Sequence, residues 1–154
     1  MEKTKSKMTF KLHTIDAMLR EKEENLEEFR SNQRNKLAQT SHDDIDNKSH
    51  ESKTEETIHE LDLLNKNVEV LEKEILQIRN IPKDLEMDHV QFGSLVETDK
   101  LTLLVGAAHD NMEVDGTTVT GISTSAPIYK EMQDLKSGDS FEMNGTKYSI
   151  KWIV

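Results

Sequence analysis

The apolar residues change their spacing at Pro82, and that switch fixes which architectures are open to this chain. Before it, Leu61, Leu64, Val68, Leu71, Ile75 and Ile78 recur at steps of three and four, so all six share one seam of a helix. After it, Tyr148, Ile150, Trp152 and Val154 alternate with polar residues, the period of a strand with one dry face. Two periods in separate blocks predict an α+β chain with a helical part followed by a sheet part.

Within the helical block, Ser52-Lys53-Thr54-Glu55 has the spacing of a capping box and marks a helix start. Asn80-Ile81-Pro82 marks its stop, because the residue before a proline is pushed out of the helical region. An earlier stretch carries Leu12, Ile15, Leu19, Leu26, Phe29 and Leu37 at the same period, with Lys22 and Gln33 interrupting the seam. Between the two lies a polar, acidic bend, Ser41-His42-Asp43-Asp44-Ile45-Asp46-Asn47-Lys48-Ser49. Two such helices bury their seams by folding back, which predicts an antiparallel coiled-coil hairpin over residues 1–81 with its acidic tip at 41–51. Its first arm, at ~1.5 Å per residue, is on the order of 45 Å long. The seam thins toward the bend, where Leu37 is the final seam residue outward and Ile58 the first on the return. Taken alone, the Asp, Asn and Ser of the bend are ordinary turn residues.

Residues 82–87 read as a linker, and 88–154 as a small antiparallel sheet domain with one short helix. Strand-like runs cover 89–98, 100–107, 117–124, 139–143 and 146–154. Asn144-Gly145 predicts a type I′ hairpin turn, whose two central residues both need positive φ. Ser125-Ala126-Pro127 leads into a helix over 128–135, with Pro127 in its first turn and Gly138 at its end. Ile128, Met132 and Leu135 are expected to cover the sheet face carrying Phe141, Ile150 and Trp152.

Charge and composition narrow the function. The net charge of -10 divides into -4 for residues 1–81 (14 basic, 18 acidic) and -6 for the remainder. Neither part has the basic excess that grips a phosphate backbone, which argues against direct DNA binding. The absence of cysteine removes disulfides, thiolate nucleophiles and Cys-type zinc sites. No apolar run approaches the ~20 residues that span a bilayer, and the amino terminus lacks a signal-peptide core, so no membrane association and a cytoplasmic location are expected.

Gly121-Ile122-Ser123-Thr124-Ser125-Ala126-Pro127-Ile128, Leu135-Lys136-Ser137-Gly138-Asp139-Ser140-Phe141 and Lys147-Tyr148-Ser149-Ile150 follow one another in the order and spacing of the carboxy-terminal domain of Gre-family transcription elongation factors, which this region resembles. Gln91-Phe92-Gly93-Ser94-Leu95-Val96 is similar to that domain's opening strand. The resemblance implies an FKBP-like domain that docks on RNA polymerase, with Ser125, Pro127, Ile128, Gly138 and Asp139 as partner-binding residues. It also implies that the coiled-coil tip enters the polymerase secondary channel and stimulates cleavage of backtracked RNA.

On this mapping Asp44-Ile45-Asp46-Asn47 matches the family's tip motif, one residue shorter and without its glycine and tyrosine. Asp44 and Asp46, with Asp43 or Glu51 as substitutes, take the roles of the family's two acids and share Mg²⁺ with the polymerase. The chain would then be a stimulator and not an enzyme in itself. Arg30 and Arg34, at i, i+4 on one face, and Lys36 lie below the tip and either contact the RNA 3′ end or pair with acids such as Glu27 and Glu55. His42 and His50 flank the acids as solvated loop residues. Two other readings fit the same pattern: a non-catalytic regulator that blocks the secondary channel, and a generic coiled-coil adaptor.

Overall fold

The structure, a computed structural model, describes the backbone of residues 2–43 and 51–154 and the side chains of 6–38 and 55–154. The element order is α1 (Glu2–Asp43), α2 (Glu51–Arg79), β1 (Leu95–Thr98), β2 (Thr102–Val105), β3 (His109–Val114), β4 (Thr117–Ile122), α3 (Pro127–Met132), β5 (Ser140–Met143) and β6 (Thr146–Ile153). Two compact units result, one of residues 1–20 with 74–154, the other of 21–73.

The first unit is built on a six-stranded sheet of order β3-β4-β2-β1-β6-β5. The expected all-antiparallel sheet is corrected to a mixed one, since β2 pairs parallel with β4. The cause is β3, a strand that the apolar pattern of His109-Asp110-Asn111-Met112-Glu113-Val114 does not announce. β3 steps outside the place beside β2, and β4 turns back into the gap, which aligns it with β2. A turn signal for this hairpin does exist, because Asp115 (φ 50) and Gly116 (φ 83) both adopt the left-handed geometry of a type I′ turn.

Each face of the sheet carries a buried core. Leu95, Leu104, Val114, Val119 and Val154 pack with Ile15 and Met18 of α1, with Ile78 of α2 and with Ile81 just past it. Val96, Leu103, Val105, Ile122, Phe141 and Ile150 pack with Tyr129 and Met132 of α3. Successive strand residues point to opposite faces, so Leu103 and Leu104 feed different cores, and β2 is buried along its whole length.

That double coverage corrects the placement of Trp152. The β1–β6 register shifts between Glu97, opposite Trp152, and Thr98, opposite Ile150, leaving Lys151 unmatched. Such a bulge reverses the parity of everything beyond it. Ile150 stays under α3, whereas Trp152 joins the other core, where Phe10 meets it edge-on at 6.5 Å and Lys7 Nζ lies 5.1 Å from its ring centroid.

Two boundaries also move. β1 begins at Leu95 and not at residue 89, because Gly93 (φ 91) turns the chain and the Ser94 hydroxyl donates to the Gln91 carbonyl at 2.7 Å. α3 stops at Met132, followed by Asp134 at φ 65. Gly138 therefore does not end the helix; at φ 92 it is the third residue of a type II turn closed by the Asp139 N–H donating to the Lys136 carbonyl at 3.0 Å. The Asn144-Gly145 turn is as expected, with φ 52 and 80. In α1 the buried stripe is Lys11, Thr14, Ile15 and Met18, while Leu12 and Leu19 are half-buried, a shift of one residue from the expected seam.

Gly121 is the tightest point of the sheet. A Cβ there would sit 2.5 Å from the Ala107 carbonyl oxygen and 2.8 Å from His109 Cβ. Backbone cannot yield as a side-chain tip can, so Gly121→Ala is expected to cost about 1–3 kcal/mol by overpacking. Urea unfolding followed by circular dichroism measures it.

Candidate functional site

Within the second unit, the described parts of α1 and α2 form an antiparallel pair. Arg30 pairs with Glu72 at 2.7 Å, the Gln33 amide donates to Asn65, and Lys36 pairs with Glu60 at 2.5 Å, so partners descend α2 as they climb α1. Leu26, Val68 and Leu71 are buried, Leu61 and Leu64 are half-buried, and Leu37 and Ile58 are 57% and 49% exposed. Apolar burial thus fades toward residues 37 and 58, where amides and ion pairs take over. A groove lined by Arg30, Gln33, Arg34, Leu37, Leu61 and Asn65 opens along that polar stretch.

The three basic residues singled out from the sequence all have acidic partners here. Arg34 pairs with Glu27 at 3.1 Å, one of the two acids expected; for Arg30 and Lys36 the partners are Glu72 and Glu60. All these side chains are at least about one-third exposed, so each pair contributes about 0–1 kcal/mol and yields readily to a stronger anion. Asp44, Asp46 and His50 lie outside the described residues, as do the side chains of His42 and Asp43, at the close of α1. Among the described residues no group of three or more His, Asp or Glu gathers into a metal site. No described helix is long and apolar enough to cross a membrane.

The five residues expected to bind a partner bracket α3. Ala126 is the N-cap, Pro127 opens the helix, and the Ser125 hydroxyl lies 2.9 Å from that of Ser123. Ile128 is half-buried against the core under α3. At the far end the Asp139 carboxylate accepts from the Lys136 N–H at 2.8 Å, and Gly138 N–H donates to the Ile150 carbonyl at 2.9 Å. Ser125, Pro127, Gly138 and Asp139 are exposed, so this surface is a firmly folded frame and its outward groups are open to contact.

One notable residue escaped the sequence reading. Lys11 is fully buried, and its Nζ faces the Met87 thioether at 3.8 Å. Burial lowers its pKa from 10.5 to about 8. Lys11, Ile15, Met18 and Lys22 follow the heptad step, but two lysines among four residues hide the stripe from a search for apolar positions.

No protein-family model matches the chain, and no curated protein does. Among solved structures it is similar to that of the transcription factor Gfh1, at 17% identity over 88% of this chain and 92% of that one, with a TM-score of 0.36. It is also similar to the GreA factor homolog 1 (Gfh1) protein of Thermus thermophilus, at 15% identity over 92% of each chain, with a TM-score of 0.33. At these values the functional reading rests on the chain's own residues.

Lys11 makes stability depend on pH. Between about 8 and 10.5 the folded chain holds a neutral amine while the unfolded chain still binds a proton, so stability rises with pH over that window. Below it the buried ammonium is a standing cost. Lys11→Met is therefore expected to raise stability at neutral pH by on the order of 1–2 kcal/mol and to flatten the alkaline rise, as read by denaturant titrations across pH.

Proposed function

We propose that this chain is a Gre-like transcription factor. Its sheet domain, FKBP-like on this reading, docks on RNA polymerase through the surface around α3, and its helix pair enters the secondary channel. The observation that carries the proposal is the placing of the Gre-like motifs. Ser125 and Pro127 stand at the start of α3, and Gly138 and Asp139 form the turn after it, in a domain preceded along the chain by an antiparallel helix pair.

Asp44 and Asp46 carry the chemistry in this proposal. Two carboxylates offer the hard oxygen ligands that Mg²⁺ takes, and they leave room for the waters it retains. Asp44 and Asp46 would hold the ion jointly with polymerase, and when bound it would supply Lewis-acid activation of a water for phosphodiester hydrolysis. Asp44 and Asp46 hold and orient, with Asp43 as a further acid, and the polymerase supplies the rest of the site, so the chain stimulates cleavage without an active site of its own. Arg30, Arg34 and Lys36 would exchange Glu72, Glu27 and Glu60 for phosphates of the extruded RNA 3′ end. Such a factor works in the cytoplasm.

The same three ion pairs favour a second reading. A helix pair whose cations are already matched obstructs the channel without drawing RNA into it. Incubating a backtracked polymerase complex with the protein and Mg²⁺ separates the two. Short 3′ RNA fragments that disappear with Asp44→Ala and Asp46→Ala are the expected outcome. Slower elongation without fragments would establish the blocking role, and no effect on polymerase would leave only the adaptor.

A further inference from the structure

Two hairpins of the sheet domain use the same turn and differ in what holds it. Asp115-Gly116 joins β3 to β4, and Asn144-Gly145 joins β5 to β6; both dipeptides have positive φ throughout, at 50 and 83 in the first and 52 and 80 in the second. In each, the side-chain carbonyl carbon stands one residue before a glycine, whose bare Cα leaves its backbone nitrogen unshielded. At Asp115 the carboxylate is engaged by His13 Nδ1 at 2.6 Å. Among the described residues nothing bonds the Asn144 amide or the Gly145 N–H. Both residues are exposed, and a Cβ at Gly145 would meet nothing within 4 Å. No other asparagine of the chain is followed by glycine.

We propose that Asn144 is a site of spontaneous covalent modification, deamidating through a succinimide, and that His13 protects Asp115 from the same ring closure. The Gly145 nitrogen gives its proton to hydroxide and attacks Asn144 Cγ, forming a C–N bond. The Cγ–Nδ2 bond then breaks, and ammonia leaves with a proton from water. Water next adds to one of the two imide carbonyls. Opening at Cγ gives aspartate, and opening at the main-chain carbonyl gives isoaspartate, with no change of oxidation state in either case.

The location makes the product consequential. Met143 pairs with Thr146 across the two-residue loop, and register in such a hairpin depends on loop length. Isoaspartate lengthens the main chain by one carbon at that loop. Two pairs further in, Phe141 and Tyr148 stack with centroids 5.1 Å apart, and Phe141 belongs to the core under α3. The second product, aspartate, adds a negative charge beside Glu142.

The full chain is aged at mildly alkaline pH and physiological temperature, digested, and mapped by mass spectrometry with isoaspartyl-specific methyl labelling. The expected result is the amide-to-acid mass gain and label at Asn144 ahead of every other asparagine, with Asp115 unlabelled. Asn144→Gln, which would need a larger ring, should lose that label while keeping the circular dichroism of the parent. Aged instead at mildly acidic pH, where a protonated carboxyl can close the ring by losing water, His13→Ala should bring label to Asp115. Label at Asn144 no faster than at Asn65 or Asn25 would overturn the assignment. Isomerisation of Asp115 at equal rates with and without His13 would overturn the protective role.

Discussion

The sheet domain depends on Ile81 fitting where side chains are missing. Ile81 is 2% exposed, and Gly93 and Gly106 lie against it so closely that a Cβ on either would come within 3.2 Å of its side chain. Gly106 is buried in the chain between β2 and β3, and Gly93 is in the turn before β1, so one isoleucine just past α2 seats against both approaches to the sheet. Ile78 and Met18 are fully buried in the same core. Close packing at this density leaves little freedom for sliding, and that rigidity holds the start of the sheet in register.

The other face obeys the same logic with a smaller cover. α3 is only six residues long, too short to persist alone, and Tyr129 and Met132 keep it in place by their burial in the core it shares with Phe141 of β5. The loop 98–101 ties the sheet together at one end. Thr98 Oγ1 accepts from the Lys100 and Leu101 N–H groups, and Asp99 accepts the Ser149 N–H, which holds that carboxyl below its usual range. The surface around α3 therefore combines exposed polar groups with a backbone that cannot drift.

Much of this was legible in the residues, and the exceptions have specific causes. Steps of three and four through Val68, Leu71, Ile75 and Ile78 marked a helix whose seam is buried, and Asn144-Gly145 marked a hairpin by its demand for positive φ. β3 was hidden because an edge strand rich in Asp, Asn and Glu has no apolar alternation to display. Trp152 was misplaced because its alternation with Tyr148 and Ile150 is genuine in sequence, yet one unmatched residue, Lys151, reverses the face. Lys11 was missed because a charged residue is seldom a core residue. Of the candidate site, Pro127 at the start of α3 could be read directly, whereas which acids pair with Arg30 and Lys36 depends on the packing register of two helices.

The buried stripe of α1 also has a consequence for how the chain acquires its structure. Lys11 and Met87 are 76 positions apart, and His13 and Asp115 are 102 apart. Contacts of that span demand closure of long loops before they reward it, which slows folding. During synthesis the first turns of α1 leave the ribosome well before their sheet exists. Until β4 has been made, Ile15 and Met18 face solvent, and a chaperone or another nascent chain would meet them first.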